Sequence, residues 1–329
     1  MLIPSLGLVT PMLWVNREAL RIMTDDARDG RDLWLLRADP PPIDWLVRDV
    51  LPCDVAGDVF GPPNVGKSTL LYHLAASIAG GDKTWAGKPI KNGPVLVITT
   101  ETSSPAALHR LLHPLIVRIV NPQHSLRHFE SVPLWRWDSQ TATWQDTVHV
   151  HTLEQLLRRL HPVLCLIDTL PGAVEGMQVM DYASNYSLAM RLQALATQNH
   201  TTVLTVSHSN QGSQGPTASL ADRLHWAARL GSTGGPAGWR WMMGVTVTTT
   251  PKQENMPSHQ SSLRWSAAAV TKHNEIIPAW TDQHPLFFSL HEGQLLWSAS
   301  LSHTPSLLKP RQKASRSPEI LMSEEDPNE

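Results

Sequence analysis

The stretch GPPNVGKST, residues 61–69, decides the expected fold because it matches the pattern G-x-x-x-x-G-K-[ST]. A strand-like run, VAGDVF, ends at Phe60 directly before it, and a helical pattern, KSTLLYHLAASIAGG, begins at Lys67. A loop in this setting directs backbone N–H groups and the positive end of a helix dipole at one place. We therefore predict a phosphate-binding loop; a plain Gly/Pro turn is the weaker alternative.

The loop positions have separate expected roles. Gly61 and Gly66 let the backbone approach a phosphate, Lys67 reaches the β- and γ-phosphates, and the Ser68 hydroxyl binds Mg²⁺. The predicted nucleotide-binding set is the whole motif: Gly61, Pro62, Pro63, Asn64, Val65, Gly66, Lys67, Ser68 and Thr69.

Outward from the loop, short β-branched runs alternate with helix-length amphipathic stretches, a pattern typical of crossover units on a parallel sheet. The strand-like runs with this alternation are residues 55–60, 94–100, 163–168 and 201–208. After Trp239, β-branched runs follow one another without long helices, beginning with WRWMMGVTVTTT, and these predict antiparallel additions to the sheet edge. The predicted fold class is α/β, with a mainly parallel sheet flanked by helices.

Composition divides the chain into three predicted parts. Residues 1–40 form an N-terminal extension, residues 41–300 one α/β domain, and residues 301–329 a disordered tail rich in Pro, Ser and charge. The stretch 117–150 is irregular and reads as an insertion within the domain. It contains Trp135, Trp137 and Trp144, which either form a protein interface or pack in the core, and core packing is the commoner role.

Charge and cysteine content exclude several classes of protein. The 27 Lys+Arg balance 29 Asp+Glu, so diffuse binding to nucleic acid through bulk charge is excluded, although local contact is not. Two cysteines exclude a disulfide framework and suit a reducing compartment, so we expect a cytoplasmic protein. No run of 18 apolar residues occurs, and no membrane contact is expected.

Three polar residues end the other predicted strands. Asp168 ends VLCLID, where ligands bind in open parallel sheets, and is predicted to hold Mg²⁺ directly or through water. Glu101 follows VLVITT and is placed to deprotonate a water in line with the γ-phosphate. His208 ends TVSH and could sense that phosphate. The alternatives are structural: a capping role for Asp168, a helix N-terminal carboxylate for Glu101, and a packed histidine.

The chain resembles RecA-type ATPases of the RepA-like hexameric helicase group, relatives of the DnaB-type replicative helicases. The likeness spans about residues 42–275 and rests on DWLVRDVLPCDVAGDVFGPPNVGKSTLLYHLAASIAGG, GPVLVITTETSSPAALHRLLH, VLCLIDTL, VLTVSHSNQG and ADRLHWAARL. It implies a RecA-like core, ATP and Mg²⁺ as cofactors, Glu101 as the catalytic base, and a hexameric ring with each nucleotide at a subunit interface.

Departures from that family pattern concern cations. The family segment resembles HHTNK and here it is SHSNQ, so Ser207 replaces a histidine and Gln211 a lysine. The segment TKHN makes Lys272 the best trans-acting cation. Weaker candidates for an arginine finger are Arg223, Arg229 and Arg264.

Two functions of different classes stay open. The first is a DNA-dependent ATPase: a helicase in replication of a plasmid, phage or mobile element, with single-stranded DNA in a pore lined by residues 209–214 and 253–260, Lys252 beside them. The second is an ATP-dependent regulatory or assembly protein that acts on a protein partner, in replication or elsewhere, without unwinding. An ATP-binding but inactive member is a third, and a small-molecule kinase a minor one.

Overall fold

The computed structural model of the chain describes residues 42–100, 133–177, 181–209, 218–229, 234–248, 265–273, 278–291 and 294–298. The chain divides into two units, Met1–Asp44 and Trp45–Glu329, and every helix and strand named below lies in the second. The predicted extension, residues 1–40, and the predicted tail, residues 301–329, lie outside the described residues, so both stay predictions.

Strands and helices alternate through the first part of the described chain. The strands are β1 (Trp45–Val47), β2 (Leu51–Pro52), β3 (Ala56–Gly61), β4 (Thr84–Trp85), β5 (Lys88–Pro89), β6 (Val95–Thr99), β7 (Trp135–Asp138), β8 (Thr143–Asp146), β9 (Leu164–Asp168), β10 (Val174–Glu175), β11 (Thr202–His208), β12 (Trp241–Thr248), β13 (Trp265–His273), β14 (Leu286–His291) and β15 (Gln294–Ser298). The helices are α1 (Lys67–Ala79), α2 (Val148–Leu160), α3 (Leu170–Ala173), α4 (Tyr182–Gln198), α5 (Leu220–Leu224) and α6 (Gly234–Gly238), with a 3₁₀ turn at Trp226–Ala228.

The main sheet has the strand order β15-β14-β13-β12-β3-β11-β9-β6 within the described residues. The five strands from β12 to β6 run parallel to one another, and β13, β14 and β15 continue the sheet by antiparallel pairing. The predicted α/β class with antiparallel C-terminal strands is therefore confirmed. β6 is buried at every position, as expected for a strand covered on both faces.

One strand differs from the prediction. The run WRWMMGVTVTTT was expected to add antiparallel, but β12 pairs parallel with β3, from Trp241 opposite Gly57 to Gly244 opposite Phe60. The chain leaves β11 at the carboxyl edge and crosses through α5 and α6 before it enters β12. A crossover connection of this length returns the chain to the opposite edge, which makes the next strand parallel.

The predicted insertion is partly regular structure. β7 and β8 form a hairpin beside β10, and helix α2 begins at Val148, inside the predicted boundary of 117–150, because Thr147 caps it by accepting from the His149 N–H at 3.3 Å. Residues 117–132 lie outside the described part of the chain.

The tryptophans of this hairpin lie in the core. The rings of Trp137 and Trp144 are 5.2 Å apart between centroids, Trp144 donates to the Ser184 carbonyl of α4 at 3.0 Å, and Trp135 is 1% exposed. The core interpretation of these side chains is therefore the correct one.

Helix α1 covers one face of the main sheet, and α2 and α4 cover the other, each with its own apolar cluster. Asp181 caps α4 by accepting from the Ser184 N–H at 2.6 Å, and this hydrogen bond lowers the pKa of its carboxyl. Within the described ranges, no helix has the length and apolar character needed to cross a membrane.

Candidate functional site

The motif at residues 61–69 forms a loop between β3 and α1, as predicted. Gly61 is the last residue of β3, and Gly66 precedes α1 with φ +91°. A Cβ atom on Gly66 would be both strained by that angle and 3.2 Å from the Phe288 ring, and one on Gly61 would overlap the Val245 carbonyl oxygen. Both glycines are therefore required by the loop's conformation and packing.

Lys67 is held over this loop. Its ammonium donates to the Gly61 carbonyl at 2.9 Å and to the Pro62 carbonyl at 2.8 Å, and the side chain is 6% exposed. These contacts keep the positive charge beside the N-terminus of α1, where a phosphate would meet it.

The N-terminus of α1 fits an anionic ligand. Among the residues that the structure describes, no side chain caps it, and its first internal hydrogen bond runs from the Leu70 N–H to the Gly66 carbonyl at 2.8 Å. The N–H groups of the first helical turn precede that bond and point toward the loop. With the Lys67 ammonium beside them and Ser68 only half-buried, the donor set suits a phosphate and the hydroxyl suits a hard cation.

Asp168 lies at the carboxyl end of β9, in register with Thr99 of β6. The Thr100 N–H donates to the Asp168 carbonyl at 2.8 Å, and the Thr100 hydroxyl both donates to the Thr169 carbonyl and accepts from its N–H, each at 2.9 Å. These bonds hold the ends of β6 and β9 together. Glu101 follows Thr100 directly but lies outside the described residues, so its role stays a prediction.

His208 is the register partner of Gly61, so the last residue of β11 lies beside the first residue of the loop. The next N–H, that of Ser209, donates to the Gly61 carbonyl at 3.2 Å, and this oxygen also accepts from Lys67. The Nδ1 atom of His208 is buried and has no hydrogen-bond partner within the described ranges. The structure thus brings the loop, His208 and Asp168 to one edge of the sheet.

A family model identifies the protein family of the chain. A family model described as an AAA domain matches residues 19–214, more than half of the chain. The chain belongs to this AAA domain family. Among solved structures, a KaiC-like protein from the hyperthermophilic archaeon Pyrococcus horikoshii OT3 is similar to it at 9% sequence identity and a TM-score of 0.49, covering 78% of this chain and 100% of that one. With its phosphate loop and mainly parallel sheet, this AAA domain has the fold of a P-loop ATPase.

Lys272 does not lie beside the phosphate loop of its own chain. It lies opposite Met242, which pairs with Asp58, at a level of the sheet before the loop begins. Its ammonium donates to the Pro236 carbonyl and, at 3.1 Å, to the Ala237 carbonyl, and its pKa is lowered by burial and then by nearby Arg240. A cation that acts on a neighbouring subunit need not approach its own loop, so the trans role stays a prediction.

Arg229 was a weaker candidate for an arginine finger, and the structure contradicts that role. Its side chain is 3% exposed and forms a buried ion pair with Asp58, so it cannot reach a neighbouring subunit. Ser209, the first residue of one predicted pore segment, is buried as well and is bonded to Gly61. The rest of both pore segments and Arg264 lie outside the described residues.

Two residues of the antiparallel strands contact the loop, and neither carried a recognisable sequence signal. The Ser266 hydroxyl of β13 donates to the Val65 carbonyl at 2.8 Å, and Phe288 of β14 packs against Gly66. Ser266 and Phe288 are register partners, so one row of the antiparallel strands supports the loop from the side. Only the strand register could have identified them.

Proposed function

We propose that this AAA domain binds and hydrolyses Mg-ATP, and that it works as a ring-forming DNA helicase in the replication of a plasmid, phage or other mobile element. The observation that carries the ATPase proposal is the shared Gly61 carbonyl. Lys67 of the loop and Ser209, which follows His208, both donate to it, and this shared acceptor supports a link between the proposed phosphate ligand and the predicted sensor.

The chain's own residues have these proposed roles. The N–H groups of α1 and the Lys67 ammonium bind the β- and γ-phosphates and stabilise the charge that develops as the terminal phosphoryl group leaves. Ser68 and Asp168 would hold Mg²⁺, which supplies further charge neutralisation when bound. Glu101 would take the proton of the attacking water. The bonds from Thr100 to Asp168 and Thr169 support this role because they hold the residue before Glu101 beside Asp168, the proposed Mg²⁺ ligand.

The ring and the DNA rest on the resemblance to RepA-like helicases. In such a ring a few loop residues per subunit hold a single strand, so a net charge of -2 does not oppose DNA binding. Lys272 is the proposed trans-acting cation, and single-stranded DNA and a replication protein are the proposed partners.

The test is ATP hydrolysis with and without single-stranded DNA, beside size-exclusion chromatography in Mg-ATP. We compare the wild type with Lys67→Ala and with the control Lys88→Ala; the Lys88 ammonium pairs with Asp49 at the surface, 3.7 Å away. We expect Lys67→Ala to abolish nucleotide binding and Lys88→Ala to have no effect, with DNA stimulating the wild type about tenfold or more in a ring-sized peak.

The two parts of the proposal fail separately. Equal nucleotide binding by wild type and Lys67→Ala would contradict the ATPase proposal. Hydrolysis that DNA does not stimulate, with no DNA binding at low salt, would contradict the helicase alone. Binding that Lys67→Ala abolishes, without measurable turnover, would indicate an inactive ATP-binding member.

A regulatory or assembly ATPase that acts on a protein partner is the second candidate. A specific surface favours it: Tyr182 and Tyr186 stack at 5.9 Å between centroids on α4 and are 52% and 39% exposed. Tyrosine is common at the centres of protein interfaces. A Glu101→Gln variant that retains a partner protein only with ATP, and loses it in Tyr182→Ala/Tyr186→Ala, would support this candidate, provided that DNA has no effect on hydrolysis.

A further inference from the structure

A cluster of buried polar side chains lies between β3 and β11. Asp58 is fully buried, and its two carboxylate oxygens accept from Thr205 Oγ1 and Ser207 Oγ, each at 2.7 Å. The Nε atom of Arg229 donates to the oxygen that Ser207 contacts. We call Asp58, Thr205, Ser207 and Arg229 the Asp58 cluster.

Stability alone does not explain why the Asp58 cluster contains a buried ion pair. The free-energy cost of moving two charges out of water offsets most of their mutual attraction. A protein with an apolar pair of similar size at the same place is often as stable. A buried ion pair does select which segments pack together, because any other arrangement leaves a charge buried without its partner. The ion pair of Arg229 therefore fixes the position of its own segment, residues 218–229, on the sheet.

That place is beside the phosphate loop. Asp58 precedes Gly61 by three positions on β3, and Ser207 is followed by His208, the register partner of Gly61. Arg229 forms a backbone bridge with Ser209, whose N–H donates to the Gly61 carbonyl. The end of β11 is thus held by its side chains on Asp58 and by its backbone on Gly61.

A second contact holds the same segment on the other flank of β3. The Leu224 carbonyl packs so closely on Gly244 of β12 that a Cβ atom there would overlap it. Gly244 is the register partner of Phe60, the residue before Gly61. Residues 218–229 therefore contact both strands that flank β3, at the level where the loop begins.

We propose that Arg229 is a positioning residue of the nucleotide site: through Asp58 and the Ser209 bridge, it holds the end of β11 against Gly61. The inference rests on the proposed function, because Gly61 and Lys67 belong to the proposed phosphate loop. Without Arg229 the end of β11 shifts, and His208 and the Gly61 carbonyl lose their positions relative to Lys67. Misplacement of groups around a reacting phosphate lowers the rate of reaction more than it lowers affinity.

The experiment replaces the ion pair without leaving a charge unpaired. Asp58→Leu/Arg229→Met substitutes apolar side chains of similar size, so folding is expected to survive. The matched control is Asp146→Leu/Arg191→Met, the same exchange at an ion pair that is about one-third exposed and lies on β8 and α4. We measure ATP turnover, the dissociation constant for Mg-ADP, and amide hydrogen exchange of the peptide that contains Ser209.

We expect turnover of the Asp58/Arg229 variant to fall about tenfold or more, Mg-ADP affinity to change less than about threefold, and exchange at Ser209 to rise about tenfold. The control should match the wild type in all three measurements. Unchanged turnover and unchanged exchange in a folded variant would overturn the inference. If the wild type does not turn over ATP, the proposed function fails and the exchange at Ser209 alone decides the inference.

A milder variant covers the case in which the double replacement does not fold. Thr205→Val/Ser207→Ala removes the two hydroxyl donors to Asp58 and keeps the ion pair. We expect a smaller loss of turnover, about threefold, together with faster exchange at Ser209. Wild-type values for both in this variant would also overturn the inference.

Discussion

The parallel and antiparallel parts of the main sheet contribute to the same loop in different ways. The parallel strands β3, β9 and β11 bring Gly61, Asp168 and His208 to one edge, where their carboxyl ends meet. The antiparallel strands β13 and β14 provide no predicted ligand to the nucleotide at this loop, since Lys272 of β13 is proposed to act on a neighbouring subunit, yet Ser266 and Phe288 contact the loop from the side. Parallel strands thus carry the predicted phosphate and metal ligands, and the antiparallel strands support the loop from the side.

Among the substitutions that test this difference, Gly66→Ala is expected to have the largest effect on nucleotide affinity. The added methyl group forces an L-residue into φ +91° and approaches Phe288 at 3.2 Å, so the loop must move away from β14. We expect nucleotide affinity to fall about thirtyfold, equivalent to about 2 kcal/mol. The measurement is the dissociation constant for Mg-ADP, together with the free energy of unfolding.

Gly87→Ala is the control for Gly66→Ala. Gly87 also has a positive φ, +77°, but an added Cβ atom meets nothing within 4 Å. We expect about 1 kcal/mol of destabilisation from the strained backbone and no change in affinity. If both variants lost affinity equally, the contact with Phe288 would have no part in nucleotide binding.

Phe288→Leu tests the antiparallel part directly. The smaller side chain leaves a gap beside Gly66, and we expect nucleotide affinity to fall about tenfold with about 1 to 2 kcal/mol of lost stability. Phe287→Leu is matched in residue type and lies in a different apolar cluster, away from the loop. It should lose similar stability and keep its affinity; equal affinity losses in the two variants would show a general effect of core packing.

Ser266→Ala removes one hydrogen bond, from the Ser266 hydroxyl to the Val65 carbonyl. Because the carbonyl then remains buried with one donor fewer, we expect about 1 kcal/mol of destabilisation and an affinity three- to fivefold weaker, about the smallest effect on binding in this series. Ser187→Ala, on the outer side of α4, is the control that should change neither quantity. If Ser266→Ala binds nucleotide with wild-type affinity, then of the two contacts from β13 and β14 only that of Phe288 can support nucleotide binding.

The slowest reaction is expected at the thiol of Cys165, which is buried in β9 of the parallel part. Burial raises the pKa of its thiol to about 12, so at pH 8 only about one molecule in ten thousand carries the reactive thiolate. We expect a thiol reagent to label the half-buried Cys53 first and Cys165 only as the domain unfolds. Mg-ATP should slow the second step further if the nucleotide stabilises the parallel strands. Rapid labelling of both thiols would show that this part of the sheet opens readily.

Much of the fold followed from local pattern. The alternation of apolar strand runs and helical stretches predicted a mainly parallel sheet, and the motif at residues 61–69 predicted a strand, loop and helix in the correct places. The direction of β12 did not follow, since strand direction depends on the path of residues 209–240 and not on the composition of the strand. The register of the antiparallel strands could not be predicted from the sequence either, so the contacts of Ser266 and Phe288 with the loop could not be predicted.

The sequence by itself determined the predicted chemistry of the site, because a phosphate-binding loop is defined by a few residue types at fixed spacing. Tertiary structure alone decided the position of Arg229. An arginine in a sequence carries no sign of whether it reaches a neighbouring subunit or lies buried, and here the fold places it against Asp58, 171 positions earlier in the chain. A buried carboxylate pairs with a charge that lies close to it in space. Two residues so far apart in the sequence come close only when the sheet has formed.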